Sequence, residues 1–139
     1  MRPSLLSAAL FCAALPATAA DLAVDVVDVK DAEGSVRIAV YGESDPWLAK
    51  PLKATNVKAA PGTVRASFHD LPEGDYAVVI YHDRNGNRKL DTNFLGMPKE
   101  PWGFSNDATG RMGPPDFKDA RFTVPAGGTR ITIHLQDPF

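Results

Sequence analysis

The feature that most constrains this 139-residue chain is a run of period-two alternation on both sides of Leu71-Pro72-Glu73-Gly74. Thr63–Leu71 puts Val64, Ala66 and Phe68 on one face, and Arg65, Ser67 and His69 on the other. Asp75–His82 does the same with Tyr76, Val78 and Ile80. Alternation at this period marks a half-buried strand and excludes a helix, whose apolar positions recur every three or four residues. Between the two runs, proline presets φ and glycine is free to take φ > 0. The pattern predicts a strand pair over 63–71 and 75–82 whose apolar faces share one core.

Five more short segments read as strands: Leu22–Val29, Val36–Tyr41, Lys53–Ala59, Arg121–Val124 and Arg130–Leu135. The last two are expected to form a hairpin around Pro125-Ala126-Gly127-Gly128. Glu43–Leu52, with Pro46, Trp47 and Pro51, reads as a loop with one anchoring aromatic. About seven strands, no convincing helix and Gly/Pro-rich turns predict an all-β protein, a Greek-key β-sandwich of immunoglobulin-like or prealbumin-like type. Val40, Phe68, Val78, Ile80 and Ile133 are expected to be buried together between its sheets. The stretch FHDLPEGDYAVVIYHD resembles the strand–Leu-Pro-x-Gly-x-Tyr–strand signature of transthyretin-like and collagen-adhesin B-type sandwiches, which implies an architecture and no activity.

Residues 1–20 stand apart. Arg2, the apolar run Leu5–Leu15 and the small residues Ala17-Thr18-Ala19 have the form of a secretory signal peptide, too short to remain as a membrane span. The expectation is removal of 1–20, a single domain over 21–139, and a periplasmic or secreted location. Cys12 is the only cysteine and would leave with the signal, so disulfides are excluded although an oxidising compartment would permit them. The formal charge of −2 is mild, no basic stripe recommends nucleic acid, and no second apolar stretch recommends a membrane span.

Residues 83–118 are the candidate functional segment. A connection of this length inside one domain is either functional or disordered, and Phe94, Trp102, Phe104 and Phe117 argue for order. Its first part carries Asp83, Asn85, Asn87 and Asp91, with the Lys89 carbonyl between the last two. Side-chain oxygens at relative positions 1, 3, 5 and 9, and a backbone carbonyl at 7, are how a curled loop offers calcium its oxygen ligands. Two positions depart from that pattern. Arg88 stands where glycine usually makes the sharp turn, and Phe94 where a bidentate glutamate usually closes the site. A further carboxylate would have to come from Asp70, Glu100, Asp107, Asp116 or Asp119. The same residues also suit a plain turn, because Asn-Gly is a hairpin dipeptide and Asp and Asn bond their own backbone. Both readings stay open, with calcium as the one cofactor to be considered.

The ordered elements HDRNGNRKLDTNFLGMPKEPWGFSN and GPPDFKDARFTV resemble a family of small secreted bacterial proteins known as domain of unknown function 2141. The resemblance covers Tyr76–Leu135 closely and the earlier strands loosely. It implies an exported β-sandwich and brings no activity, substrate or catalytic residue. The family position matched by Arg88 is frequently glycine, so this chain departs from the more calcium-like form.

Other chemistry has weaker support. His69 and His82 face opposite ways and His134 lies on another strand, so no three histidines converge for zinc. Ser105 lacks the Gly-x-Ser-x-Gly setting of a nucleophile elbow. Glu100 with Asp91 or Asp116 is the pair a secreted hydrolase would use. The aromatics are expected to anchor the segment to the sandwich, with Trp102 left exposed. Trp102, Glu100 and Phe104 are then the candidate contacts for a protein or glycan partner in the cell envelope. The reading favoured is a non-catalytic binding or structural module, with a hydrolase using loop carboxylates as the alternative.

Overall fold

The computed structural model describes Ser4, Ala8–Cys12 and residues 19–138. Most of the expected signal peptide therefore lies outside the described residues. Among the described residues eight strands form two sheets. They are β1 (Ala19–Val29), β2 (Ser35–Gly42), β3 (Lys53–Lys58), β4 (Gly62–Pro72), β5 (Gly74–Asp83), β6 (Trp102–Phe104), β7 (Phe122–Val124) and β8 (Thr129–His134). One sheet has the order β4-β1-β8; the other runs β3-β2-β5-β6, with β7 also on β5. The fold is an all-β sandwich.

The expected core is present. Val40, Phe68, Val78, Ile80 and Ile133 lie in one buried cluster with Leu22, Val24, Val26, Val36, Ile38, Val64 and Leu71. Two pairings differ from expectation. The β4 and β5 strands share this core but not a sheet: β4 pairs with β1 and β5 with β2, both antiparallel. Alternation reports which face of a strand is buried, not which strand lies beside it. Likewise β7 and β8 form no hairpin. The β7 strand pairs with β5, while β8 crosses to the other sheet and runs parallel to β1.

Along the outer edge of β5, successive partners take up its backbone groups. Tyr76 faces β7, Ile80 faces β6 at Gly103, and the His82 N–H donates to Pro101 O at 2.8 Å. Val78 falls in the gap between the two short strands. There Ser105, 1% exposed, accepts the Val78 N–H on Oγ at 2.9 Å and donates its hydroxyl to Ala120 O. Gly103 is a glycine because β6 crosses close over β8: an added Cβ would stand 2.7 Å from His134 O and 3.1 Å from Ile133 Cγ2. Trp102 exchanges backbone hydrogen bonds with Gln136 there, joining the two sheets at one end.

The segment after β6 supplies a second, smaller core on the outer face of the five-stranded sheet. Ala77, Phe104 and Ala120 are buried, with Trp47, Val79, Trp102 and Phe117 packed around them. Trp47 is the hub, its ring centroid 5.0 Å from Tyr41 and 5.6 Å from Phe117, and its Nε1 donates to Pro115 O at 3.0 Å.

Two substitutions test this framework. Ser105→Ala leaves the Val78 N–H and the Ala120 carbonyl unpaired in the interior, and should cost roughly 1–3 kcal/mol in denaturant unfolding. Gly103→Ala should cost a similar amount, about 1–3 kcal/mol, by overpacking. Gly113→Ala, whose added Cβ meets nothing within 4 Å, should stay within about 0.5 kcal/mol of the parent.

Candidate functional site

The site begins where β5 ends. His82 is fully buried and its Nε2 lies 2.6 Å from Glu33 O, in the turn between β1 and β2. The carbonyl accepts, so Nε2 carries the proton. That turn closes tightly on β5: Gly34 has φ +63°, and a Cβ there would collide with Asp83 O at 2.0 Å. Arg84 Nη2 pairs with Asp31 Oδ2 at 3.0 Å on the same turn. His82 thus packs beneath the loop and binds the neighbouring turn.

Asp83 is only 2% exposed. Its Oδ2 accepts the Arg88 N–H at 2.8 Å, and its Oδ1, also buried, has no hydrogen-bond partner among the described residues. Asn85 and Asn87 turn their amide oxygens back to the N–H groups of Asn87 and Lys89, at 3.2 and 3.0 Å. Their Nδ2 atoms converge on Asp91, at 2.5 Å from Oδ2 and 2.6 Å from Oδ1 respectively. Arg88 takes φ +62°, the left-handed conformation that an L side chain adopts at a cost of about 1–2 kcal/mol. It therefore makes the sharp turn at the position where glycine was expected.

A carboxylate from the far end of the loop reaches back to its start. Glu100, 6% exposed, accepts the Arg84 N–H on Oε2 at 2.8 Å and the Asp91 N–H on Oε1 at 3.1 Å. It ties together the two ends of residues 84–99 and brings its carboxylate beside Asp91. Burial lifts the Glu100 carboxyl above the ordinary glutamate range; the nearby Asp91 carboxylate adds to the lift and the two backbone N–H groups oppose it. Asp91 is held below its usual value, first by the Asn87 amide, then by the Asn85 amide and by a hydrogen bond with Glu100. Among the described residues, no group of three or more His, Cys, Asp or Glu side chains is arranged to hold a metal on its own. Any ion here has to draw on the two asparagine amides as well.

The remaining candidates are dispersed. Asp116 lines a separate open groove with Arg111 and Asp119. Asp107 binds His134, its Oδ1 accepting the His134 N–H at 2.9 Å and its Oδ2 lying 2.8 Å from Nδ1. Phe104 is buried at 6%, and Trp102 is half-buried with Nε1 enclosed, so neither they nor Glu100 form an open contact surface. Of the aromatics in this segment the exposed one is Phe94, at 96%, which was expected to pack onto the sandwich. Its neighbour Leu95 is 70% exposed. Among the described residues no helix is long and apolar enough to cross a membrane.

A family model described as "Uncharacterized protein conserved in bacteria" matches residues 24–132, spanning the sandwich, the loop and the second core. The chain belongs to domain-of-unknown-function family 2141. No curated protein and no solved structure matched it.

The carboxyl pair gives a pH prediction. Carbon-detected titration of the calcium-free protein should give Glu100 a midpoint above its ordinary 4.5 and Asp91 a midpoint below its ordinary 3.8. With a raised folded pKa, Glu100 favours the fold most fully below its unfolded value, and that contribution is lost as pH rises through the raised midpoint. Asp91 has the opposite sign: its contribution is present above its unfolded value and is lost as pH falls through the lowered midpoint. Midpoints in the reverse order would mean that the two carboxyls do not meet.

Proposed function

We propose that this protein is an exported, non-catalytic binding module whose loop over residues 83–100 is organised by calcium. The observation that carries the reading is the Asp83 carboxylate, buried at 2% with Oδ1 unpartnered, at the first position of the Asp83–Asn85–Asn87–Lys89–Asp91 series. A buried carboxylate oxygen without a partner is costly unless a cation or donor reaches it. Calcium takes hard oxygens, and Asp83, Asn85, Asn87, the Lys89 carbonyl, Asp91 and Glu100 are the set on offer. Each asparagine oxygen that accepts one N–H keeps a second lone pair. An ion opposite Asp91 would take over the role that the two amide N–H groups now fill.

Three observations favour a module over a hydrolase. Both Glu100 oxygens are engaged by backbone N–H groups, the Ser105 hydroxyl is enclosed, and Asp116 lies on a different groove. The secretory character of residues 1–20 supports a periplasmic or extracellular setting, where calcium at millimolar levels suits a weak site.

The expected affinity is about 10⁻⁴–10⁻³ M. At a hundredfold excess over Kd, binding stabilises by about 2.7 kcal/mol, a rise in Tm of about 5–10 °C. Arg88→Gly should tighten binding by relieving the left-handed residue and removing a positive charge, and Asp83→Ala should abolish it. The check is a thermal melt in calcium against chelator for all three proteins. An unchanged Tm for both the parent and Arg88→Gly would reduce the loop to a hydrogen-bonded turn.

A further inference from the structure

Residues 91–99 form a small hairpin whose apolar tip is held out in water. Thr92 bridges to Pro98, Asn93 N–H donates to Met97 O at 2.8 Å, and Lys99 N–H donates to Asp91 O at 2.7 Å. The turn is closed by Gly96 N–H on Asn93 O at 2.9 Å. Asn93 Oδ1 accepts the N–H groups of both Leu95 and Met97, at 2.9 and 3.1 Å. All of this bonding fixes a tip that presents Phe94 and Leu95, 96% and 70% exposed, side by side. A large apolar pair fixed in water on a hydrogen-bonded turn is a surface that burial against another body would favour.

The exposed charge on the loop that carries the tip is mainly basic. Arg88, Lys89 and Lys99 are exposed and none has a carboxylate within 4.0 Å among the described salt bridges, whereas Arg84 is paired with Asp31. Against them stand the part-exposed Asp91 and the buried Asp83 and Glu100. We infer that this hairpin docks on an anionic phospholipid surface, Phe94 and Leu95 entering the interfacial region while Arg88, Lys89 and Lys99 meet phosphate headgroups. Insertion of a few apolar side chains backed by basic residues is a recognised form of reversible membrane attachment. A membrane suits the shape better than a protein partner does. A convex tip of two side chains covers far less than the roughly 800 Å² per partner of a stable protein interface. The inference does not rest on the calcium reading, since the hairpin and its cations are present without an ion.

The test is co-flotation of the full protein with vesicles of phosphatidylcholine alone or with a third phosphatidylglycerol, in chelator and at low salt. The parent should float with the anionic vesicles and not with the neutral ones. Phe94→Ser/Leu95→Ser should lower the bound fraction roughly tenfold, and so should the triple change of Arg88, Lys89 and Lys99 to Gln. Both variants alter exposed side chains, so an unchanged Tm and circular dichroism spectrum separates lost docking from lost folding. A Phe94→Trp reporter should shift its emission to the blue on the anionic vesicles. Three results would overturn the inference: no flotation of the parent, flotation that the tip variant leaves unchanged, or tip-dependent binding to an acidic polypeptide surface without any to vesicles. The first two remove the tip from membrane binding, and the third reassigns it to a protein.

Discussion

The structure depends on how the outer edge of β5 is covered. A central strand cannot leave its N–H and C=O groups unpaired in the interior, and no single partner runs the length of this one. The β7 strand serves Gly74–Tyr76 and β6 serves Val79–Tyr81. Ser105 closes the interval at Val78 with a side chain in place of a strand. The Gly-Phe-Ser-Asn element is thereby explained without any catalytic role. Gly103 lets β6 lie close over β8, Phe104 fills the second core, and Ser105 plugs the gap. Asn106 then ties the helical turn at Phe117–Ala120 back with bonds from Nδ2 to Asp119 O and Arg121 O, at 3.2 and 2.8 Å. A chain whose described fold contains no disulfide holds this long segment by backbone pairing and aromatic packing.

The same edge determines where the loop projects. Pro101 meets the backbone of His82, so the chain returning to the sheet arrives beside the residue from which it departed. Residues 84–99 are an excursion between two points already in register, and Glu100 closes its neck by bonding Arg84 N–H and Asp91 N–H at once. Compact loops with adjacent ends are frequently functional, because a rigid scaffold can present them without being disturbed. Here the scaffold is the buried His82–Asp83 end of β5, wedged against the turn at Gly34.

Much of this was legible in the sequence, and what was not has specific causes. Alternation identified the strands and their buried faces, and the core that followed from it is present from Val40 to Ile133. It could not identify partners, which is why two expected hairpins proved to be crossings between sheets. Three-residue β6 is too short to show a period. Glu100 was legible only as one acidic residue among several, because its approach to Asp91 depends on the return at Pro101. Phe94 was misread for a related reason. In a strand the residue's parity says which way it points, but in a turn the direction follows from hydrogen bonds such as those of Asn93, which composition does not reveal.

The two halves of the segment are stabilised by different forces, and this separates their behaviour. Residues 101–120 are bound to the sandwich by Phe104, Phe117, Ala120 and the Trp47 hub, so opening them would expose the second core and cost much of the global stability. Residues 84–99 have little such burial. Their order comes from Asx-type bonds, the Asp91–asparagine cluster and one buried glutamate, all of them polar. Polar order responds to pH and to cations, whereas apolar burial responds to neither over the same range. Residues 84–99 are mostly exposed, so opening them would uncover little apolar surface and leave the core of the β-sandwich beneath them untouched.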